Sequence, residues 1–343
     1  MLTLLSAALA ADLTRMPDAS HAEIGAVYAG SIESGRIVEG DLTVADRRFQ
    51  QHDMLFTLAF APVKGLAITA AGDLTAAWSY KYFNARTMLL EPVEGGGSYL
   101  GSDEPVDGNT PVVREGSGLN GIWVGAALAP FSEVYAKNHR VTWRVDVGYR
   151  SGSARKNRWT VVDGGRGAAP GGSAFRVMGA FSRRTGVSEP YIRASWQAES
   201  PVEVDVVDEG GLGGTLALKP ASIAEIRGGC ELHSSEGDDI SVDVWVGARY
   251  HTPERIPSGI LLPNTLDAAK AIAVTHSDTV AGLFGAGFHV GITSFLRMDV
   301  GLAGRYTVPH TQEHVFAAQT STDTFGMEWR GALVGSFGPA AKD

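Results

Sequence analysis

The segment HRVTWRVDVGYR, residues 139–150, alternates between apolar and polar side chains. The apolar positions are Val141, Trp143, Val145, Val147 and Tyr149. Because successive side chains of a β-strand point to opposite faces, the pattern predicts a strand with one apolar and one charged face. The apolar face of such a strand is covered either by a protein core or by lipid.

The same period of two recurs along the chain. Clear repeats occupy residues 54–60, 66–80, 122–128, 175–181, 192–196, 224–232, 240–250, 284–290, 296–306 and 325–337, and a weaker one occupies residues 24–32. Many of them reach the ~9–11 residues that a tilted strand needs to cross a bilayer. We therefore expect about twelve strands.

The connections between these segments differ in length. Short links are predicted at residues 62–65, 131–138, 184–189, 234–239 and 291–295, and long loops at 33–50, 84–119, 152–172, 200–216, 252–278 and 309–322. Short turns on one rim and long loops on the other are typical of an up-and-down transmembrane barrel. An even number of strands places both chain ends on the short-turn rim.

Alternation alone is also compatible with a soluble β-sandwich. Three features favour lipid: long strands, a polar face that mixes both charge signs with glycine and alanine, and aromatic residues near strand ends. These aromatic residues are Phe60, Trp78, Tyr80, Tyr149, Tyr250, Tyr306, Phe325 and Phe337. A lipid-facing sheet must close, because hydrocarbon offers no partner for a sheet edge. The predicted fold class is all-β, a transmembrane up-and-down antiparallel β-barrel of about 12 strands, with a soluble sandwich or barrel and a β-helix as alternatives.

The N-terminus suggests export. Residues 2–10 are apolar and end in Ala8-Leu9-Ala10, which resembles a secretory signal peptide cut before Ala11, although the basic n-region is missing. A short buried helix is the alternative. The predicted organisation is a signal peptide at 1–10, an N-terminal periplasmic segment at 11–20, the barrel at 21–338 and a C-terminal tail at 339–343.

The region from residue 21 to residue 338 resembles bacterial outer-membrane β-barrels of the porin-like type. In that class the last strand usually ends in an aromatic residue that the insertion machinery recognises, and RGALVGSF at residues 330–337 is similar. The resemblance implies location in the bacterial outer membrane of a Gram-negative cell. Its implied partners are outer-membrane lipid, lipopolysaccharide and the insertion machinery. It identifies no subfamily and carries no catalytic residue.

Composition excludes several other classes. The net charge of −9 argues against a nucleic-acid partner. The single cysteine, Cys230, excludes an internal disulfide and a cysteine-based zinc site. We expect no cofactor, no metal and no enzymatic reaction.

The polar face of the predicted strands would line the lumen. Its predicted lumen and selectivity residues are Arg140, Arg144, Asp146, Arg150, Arg176, Arg193, Glu225, Arg227, Asp243, Arg249, Arg297, Asp299, Arg305, Glu328 and Arg330. Asp73, Glu199 and Glu231 fall on the same face. The slight excess of arginine favours a narrow, mildly anion-favouring pathway for small polar solutes. Alternatively, the ion pairs cross-link the lumen and close it, as in the smallest barrels.

Two loop segments also carry candidate functions. The sequence HTQEH at residues 310–314 matches the inverted zinc-protease motif H-x-x-E-H, but Pro309 precedes it and a polar surface loop is the favoured interpretation. In the apolar loop at residues 256–276, Asn264 or Thr265 could cap a short helix. That loop could narrow the entrance through Ile260, Leu261 and Leu262.

The acidic glycine-rich loop at residues 91–109 holds Asp103, Glu104 and Asp107, without the spacing of an EF-hand. A solvated loop is the favoured interpretation. For the whole chain, the leading functional prediction is a porin-like channel for small polar solutes. The alternatives are a structural or adhesive barrel with a sealed lumen and partner-binding loops, and an outer-membrane hydrolase.

Overall fold

The computed structural model describes residues 16–83, 92–93, 97–98, 112–131, 141–152, 161–162, 165–169, 171–207, 213–234, 240–257, 273–313 and 318–338. Twelve long antiparallel strands form a closed barrel. They are β1 (Ala22–Glu39), β2 (Leu42–Val63), β3 (Leu66–Phe83), β6 (Val112–Phe131), β7 (Thr142–Arg150), β10 (Ala174–Ser182), β11 (Ser188–Glu199), β14 (Ile223–His233), β15 (Ile240–His251), β18 (Thr279–Thr293), β19 (Leu296–Thr307) and β22 (Thr324–Phe337).

Each barrel strand pairs with the next barrel strand along the chain, and the first pairs with the last. The β1–β22 ladder runs from Ala22 opposite Phe337 to Ser34 opposite Phe325. This closure leaves no open sheet edge among the twelve strands, as a lipid-facing sheet requires. The predicted fold class, an up-and-down barrel of about 12 strands, is confirmed.

Ten short strands form five hairpins in the connections of one rim. They are β4–β5 (Pro92–Val93, Gly97–Ser98), β8–β9 (Val161–Val162, Gly165–Arg166), β12–β13 (Val202–Val207, Gly213–Leu218), β16–β17 (Glu254–Pro257, Ala273–His276) and β20–β21 (His310–Glu313, Ala318–Ser321). This is the long-loop rim, which in outer-membrane barrels faces the outside while the short-turn rim faces the periplasm.

One predicted long loop is wrong. Residues 33–50 continue the β1–β2 ladder up to a tight turn at Gly40 and Asp41, where Gly40 has a φ of +58°. The predicted loop at 84–119 is also shorter, because β6 already begins at Val112. Outside the lipid band, these strand extensions no longer show apolar alternation, and that is why the sequence pattern did not reveal them.

The outer face of the barrel carries an apolar band. On β2 the outward side chains Met54, Phe56, Leu58 and Phe60 are 39% to 52% exposed. The next outward residue along the strand is His52, and the band ends there. Exposed apolar side chains on every barrel strand are what a lipid-facing surface needs, and a soluble core would have buried them.

Two of the predicted interfacial aromatic residues point the other way. Trp78 is only 3% exposed and Tyr80 packs against the inward-facing Phe49. The cause is a bulge, because the β3–β6 register shifts between Thr75 and Trp78. The other six predicted girdle residues are exposed on the outer face: Phe60, Tyr149, Tyr250, Tyr306, Phe325 and Phe337.

The N-terminal segment, residues 16–21, packs against the inner wall at the short-turn rim. Met16 packs on Ala61, Ala67 and Ala127, which face inward and are at most 1% exposed. The Ser20 N–H donates to the Ala61 carbonyl at 2.7 Å. The predicted signal peptide at 1–10 and the tail at 339–343 lie outside the described residues. Within the described ranges, no helix is long and apolar enough to cross a membrane.

Candidate functional site

The lumen is the candidate site, because the predicted selectivity residues converge on it. Arg140 lies outside the described residues. The other fourteen occupy inward-facing strand positions and are buried or half-buried. In the segment HRVTWRVDVGYR (residues 139–150), the side chains of Trp143, Val147 and Tyr149 are 42% to 49% exposed on the outer face. Strand alternation therefore predicts the facing of these charged side chains correctly.

A chain of ion pairs runs along the inner wall from β14 to β2. In order, its members are Arg227, Glu225, Arg249, Glu328, Arg305, Glu33 and Arg47. We call these seven residues the ion-pair ladder. Its four arginines and three glutamates come from β14, β15, β19, β22, β1 and β2.

Arg249 is the central member of the ladder. Its Nε lies 2.8 Å from Glu225 Oε2, and its Nη1 lies 3.4 Å from Glu328 Oε1. Arg227 binds the other oxygen of Glu225 at 2.5 Å, and Arg305 binds Glu328 at 3.5 Å. Each of these two glutamates thus contacts two arginines, which compensates its charge in a site with little water.

The far end of the ladder lies above the lipid band. Glu33 accepts from Arg47 at 2.7 Å and also from Arg305. Sequence analysis missed Glu33 and Arg47, because both fall in the segment 33–50 that was predicted as a loop. Arg47 could have been identified by continuing the alternation of β2 from Asp53 through Gln51 towards the long-loop rim, because every second residue faces inward.

The ladder is occluded from solvent. Its side chains are between 1% and 17% exposed, with Arg249 at the low end. A wide aqueous pore would expose charged lining residues more than this. Glycines make room for long side chains nearby: a Cβ at Gly285 would lie 2.4 Å from the Trp245 ring, and one at Gly301 would lie 2.8 Å from Arg330.

Beyond the ladder, β7, β10 and β11 add further arginines. Arg193 lies directly opposite Arg227 in the β11–β14 register. The guanidinium groups of Arg150 and Arg176 lie 5.3 Å and 5.1 Å from the centre of the Trp123 ring. Like charges at directly opposed strand positions repel each other, while Glu225 compensates Arg227. We call Arg176, Arg193 and Arg227 the arginine row.

Two of these arginines differ in their contacts. Arg150 Nη2 donates to Glu199 at 2.5 Å, and Glu199 is fully buried. Arg176 Nη1 is buried without a hydrogen-bond partner among the described residues. Arg144, in contrast, is locally neutralised, because its Nε donates to Asp146 at 2.8 Å.

The opposite wall, formed by β1, β2, β3 and β6, combines aromatic side chains with the buried acids Asp53 and Asp73 on its inner face. Towards the long-loop rim, the rings of Phe49 and Tyr80 are 4.4 Å apart, and Trp78 donates from Nε1 to the Gly167 carbonyl at 2.9 Å. Deeper in the barrel, Leu55 and Trp123 share a buried cluster. The lumen therefore has an arginine-rich wall and, opposite it, a wall of aromatic side chains and buried acids that we call the aromatic wall.

A second charged group lies nearer the short-turn rim. His289 Nδ1 lies 2.7 Å from Asp299 Oδ1, and Arg297 lies 3.8 Å from the other oxygen of Asp299 and 3.6 Å from Glu23. Both His289 and Asp299 are buried. The predicted lumen residues Arg297 and Asp299 are thus brought together in one ion-pair network.

The HTQEH motif does not form a helical zinc site. Residues His310–Glu313 are strand β20, and residue 314 lies outside the described residues. His310 Nε2 instead lies 3.5 Å from His276 Nδ1 of β17. Burial lowers the pKa of both histidines to about 4, helped by Arg47 and, for His310, by His276.

The predicted constriction residues Ile260, Leu261 and Leu262 lie outside the described residues, as do the cap candidates Asn264 and Thr265 and the acidic loop residues at 103–107. The ends of the 256–276 loop do form the β16–β17 hairpin at the mouth.

No family model and no curated protein sequence matches the chain. Its fold is similar to that of an outer membrane channel from Pseudomonas putida F1, with 11% identity, a TM-score of 0.54 and coverage of 95% of this chain and 98% of the other. The chain has the fold of an outer-membrane β-barrel. The predicted class is confirmed at that level, and the subfamily stays open.

Two further solved structures align over most of the chain with lower scores. A Pseudomonas aeruginosa FadL homologue gives 9% identity, a TM-score of 0.40 and coverage of 93% and 90%. The outer membrane protease OmpT from Escherichia coli gives 10% identity, a TM-score of 0.34 and coverage of 94% and 98%. Both scores are too low to support a functional argument.

Proposed function

We propose that the chain is an outer-membrane channel for small polar solutes that prefers anions, and that the described structure is its closed state. The fold likeness to a protein described as an outer membrane channel supports the channel part. Lipid, lipopolysaccharide and the insertion machinery remain its proposed partners. The proposal involves no catalytic step and no cofactor.

The anion preference rests on the arginine row. Arg193 and Arg227 occupy directly opposed positions, with Arg176 one strand further along the wall. Holding like charges side by side costs free energy in the empty protein. A passing carboxylate or phosphate would relieve that repulsion, and its apolar part could contact the aromatic wall.

Planar-bilayer recording of the purified, folded protein tests this proposal. In a salt gradient the reversal potential should indicate anion preference, and Arg193→Gln should reduce it. Arg144→Gln is the matched control, because Arg144 pairs with Asp146 and its loss should shift the reversal potential less. Cation preference in the wild type, or equal shifts from both variants, would refute the role of the arginine row.

Burial of the lumen charges favours a second candidate, a sealed structural barrel whose loops contact partners. Arg249 is 1% exposed, and Asp243 and Asp299 are fully buried. The Arg249→Ala variant separates the two candidates, because removing the central arginine should raise conductance in a channel that opens by breaking the ladder. If neither the wild type nor this variant conducts while both are folded, the sealed barrel is the better assignment.

The hydrolase alternative needs a nucleophile and a base together at the long-loop rim. In the part of the chain that the structure describes, His276 contacts His310 at that rim, and neither histidine contacts a serine hydroxyl. The described contacts therefore give this alternative no support of their own.

A further inference from the structure

Three metal-ligating side chains meet inside the barrel at the short-turn rim. Glu189 is the second residue of β11, and Glu231 lies directly opposite it on β14. His233, two residues further along β14, faces the same side. One ligand atom from each of the three lies within 4.8 Å of the other two.

Two serines orient the carboxylates of this cluster. The Ser182 hydroxyl donates to Glu189 Oε1 at 2.7 Å, and the Ser241 hydroxyl donates to Glu231 Oε1. Glu189 Oε2 then lies 3.4 Å from His233 Nε2. Outer hydrogen bonds that fix one oxygen and turn the other inward are characteristic of metal-binding carboxylates.

Asp243 provides an independent indication that a cation belongs here. It lies directly opposite Glu231 in the β14–β15 register and is fully buried. Its Oδ2 accepts from the Tyr191 hydroxyl at 3.1 Å, but its Oδ1 is buried without a hydrogen-bond partner among the described residues. Arg330 and His289 lie close enough to interact with Asp243, but neither donates to this oxygen. A buried carboxylate oxygen left in this state favours a further positive charge near it.

The negative charges of three neighbouring acids add to the cost of this burial. Glu189, Glu231 and Asp243 occupy directly opposed positions on three adjacent strands, β11, β14 and β15. Three neighbouring carboxylates repel one another, and the lumen offers them little water. A divalent cation would compensate this charge at one point.

We infer that Glu189, Glu231 and His233 bind one divalent transition-metal ion of the zinc type at the short-turn rim. Zinc combines imidazole nitrogen with carboxylate oxygen in four-coordinate sites, whereas calcium and magnesium prefer all-oxygen sets. Three protein ligands leave one position for water. The ion would join β11 to β14 where these strands end, within short reach of the periplasm.

The experiment uses the folded, detergent-solubilised protein after treatment with a chelator. Zn²⁺ titration by calorimetry should show one tight equivalent, and X-ray absorption at the zinc edge should show one imidazole and two or three oxygen ligands. Mg²⁺ and Ca²⁺ should not compete at equal concentration. Absence of a stoichiometric site, or a zinc spectrum without imidazole, would overturn the inference.

Variants locate the site. His233→Gln and Glu231→Gln should each weaken zinc binding by at least about 100-fold, and Ser241→Ala by about 10- to 100-fold. His276→Gln is the control, because it removes a histidine at the opposite rim. If His276→Gln abolishes tight zinc binding and His233→Gln leaves it intact, the ion is bound by His276 and His310 at the long-loop rim, and the inference is wrong.

A second readout distinguishes metal binding from a role in folding. Without zinc, Glu231→Gln should melt no lower than the wild type, because it removes one of three repelling charges. With zinc, the wild type should gain in Tm while the variant gains little. An equal zinc-dependent gain in both proteins would contradict the assignment.

Discussion

Replacement of Arg249 by methionine tests the ion-pair ladder most directly. Methionine is unbranched, uncharged and similar in volume, so the change removes the cation between Glu225 and Glu328 while filling much of its space. Arg249 is 1% exposed and contacts the two carboxylates at 2.8 Å and 3.4 Å. The perturbation therefore acts on a buried network.

The expected cost follows from what the two glutamates retain. Removing one partner of a buried ion pair typically costs about 3–5 kcal/mol, because the remaining charge is left uncompensated. Here Glu225 keeps Arg227 at 2.5 Å and Glu328 keeps Arg305 at 3.5 Å. We therefore expect the lower end, a loss of about 3 kcal/mol in the free energy of unfolding.

The assay is urea unfolding in lipid vesicles, followed by tryptophan fluorescence, with folding reversibility checked from both directions. Arg36→Met is the matched control, because Arg36 pairs with Asp46 at 3.6 Å and their side chains are 67% and 44% exposed. An exposed pair of this kind contributes about 0–1 kcal/mol. If Arg249→Met costs no more than Arg36→Met, the ladder is not a buried, coupled network.

Three further predictions test other parts of the structure. Val246 is 67% exposed on the lipid face, so Val246→Arg places a charge in the lipid. The free energy of unfolding in vesicles should fall by about 2–4 kcal/mol. An unchanged unfolding midpoint would contradict the assignment of this face. Trp78→Phe keeps a ring but removes the hydrogen bond to the Gly167 carbonyl, so a loss of about 0.5–1.5 kcal/mol is expected, and no loss would mean that this bond is absent in the membrane. His276 and His310 have pKa values of about 4, below the ordinary 6.5, so the unfolded chain binds more protons between these values. Their contribution to stability should be complete above about pH 6.5 and lost as the pH falls towards 4. Thermal unfolding across this range should show a smaller pH dependence for His276→Gln, and an identical dependence would contradict burial of the pair.

The sequence predicted the barrel because lipid imposes a simple pattern. Each spanning strand must be apolar on one face over its whole membrane depth, so a period of two is visible in segments such as residues 141–149. Closure followed from the absence of hydrogen-bond partners in hydrocarbon. The inward direction of Arg193, Arg227 and Arg249 followed from the same alternation.

The sequence predictions fail where the strands no longer need one continuous apolar face. Above the lipid band, β1 and β2 alternate without an apolar face, so residues 33–50 looked like a loop. Trp78 and Tyr80 were placed outside because a bulge at Ala76 and Ala77 shifts the alternation by one residue. The residue types at the bulge do not reveal this shift.

Contacts between distant strands were also inaccessible to sequence reasoning. The ladder links Glu33 to Arg305, which are far apart in sequence and meet only because the barrel closes. The Glu189, Glu231 and His233 cluster likewise depends on the register of β11 and β14. Register reflects the whole set of strand pairings, and a single strand pattern does not fix it.

The unequal strand lengths make the barrel wall much taller on one side. β2 has 22 residues and β7 has 9, while a bilayer needs only about 9–11 tilted residues. At ~3.3 Å per residue, roughly half of β2 lies beyond the membrane surface. A Cβ at Gly40, in the turn that ends this projection, would have no atom within 4 Å. A short epitope inserted at Gly40 should therefore be readable by antibodies on intact cells, and would report the orientation of the chain without disturbing the barrel.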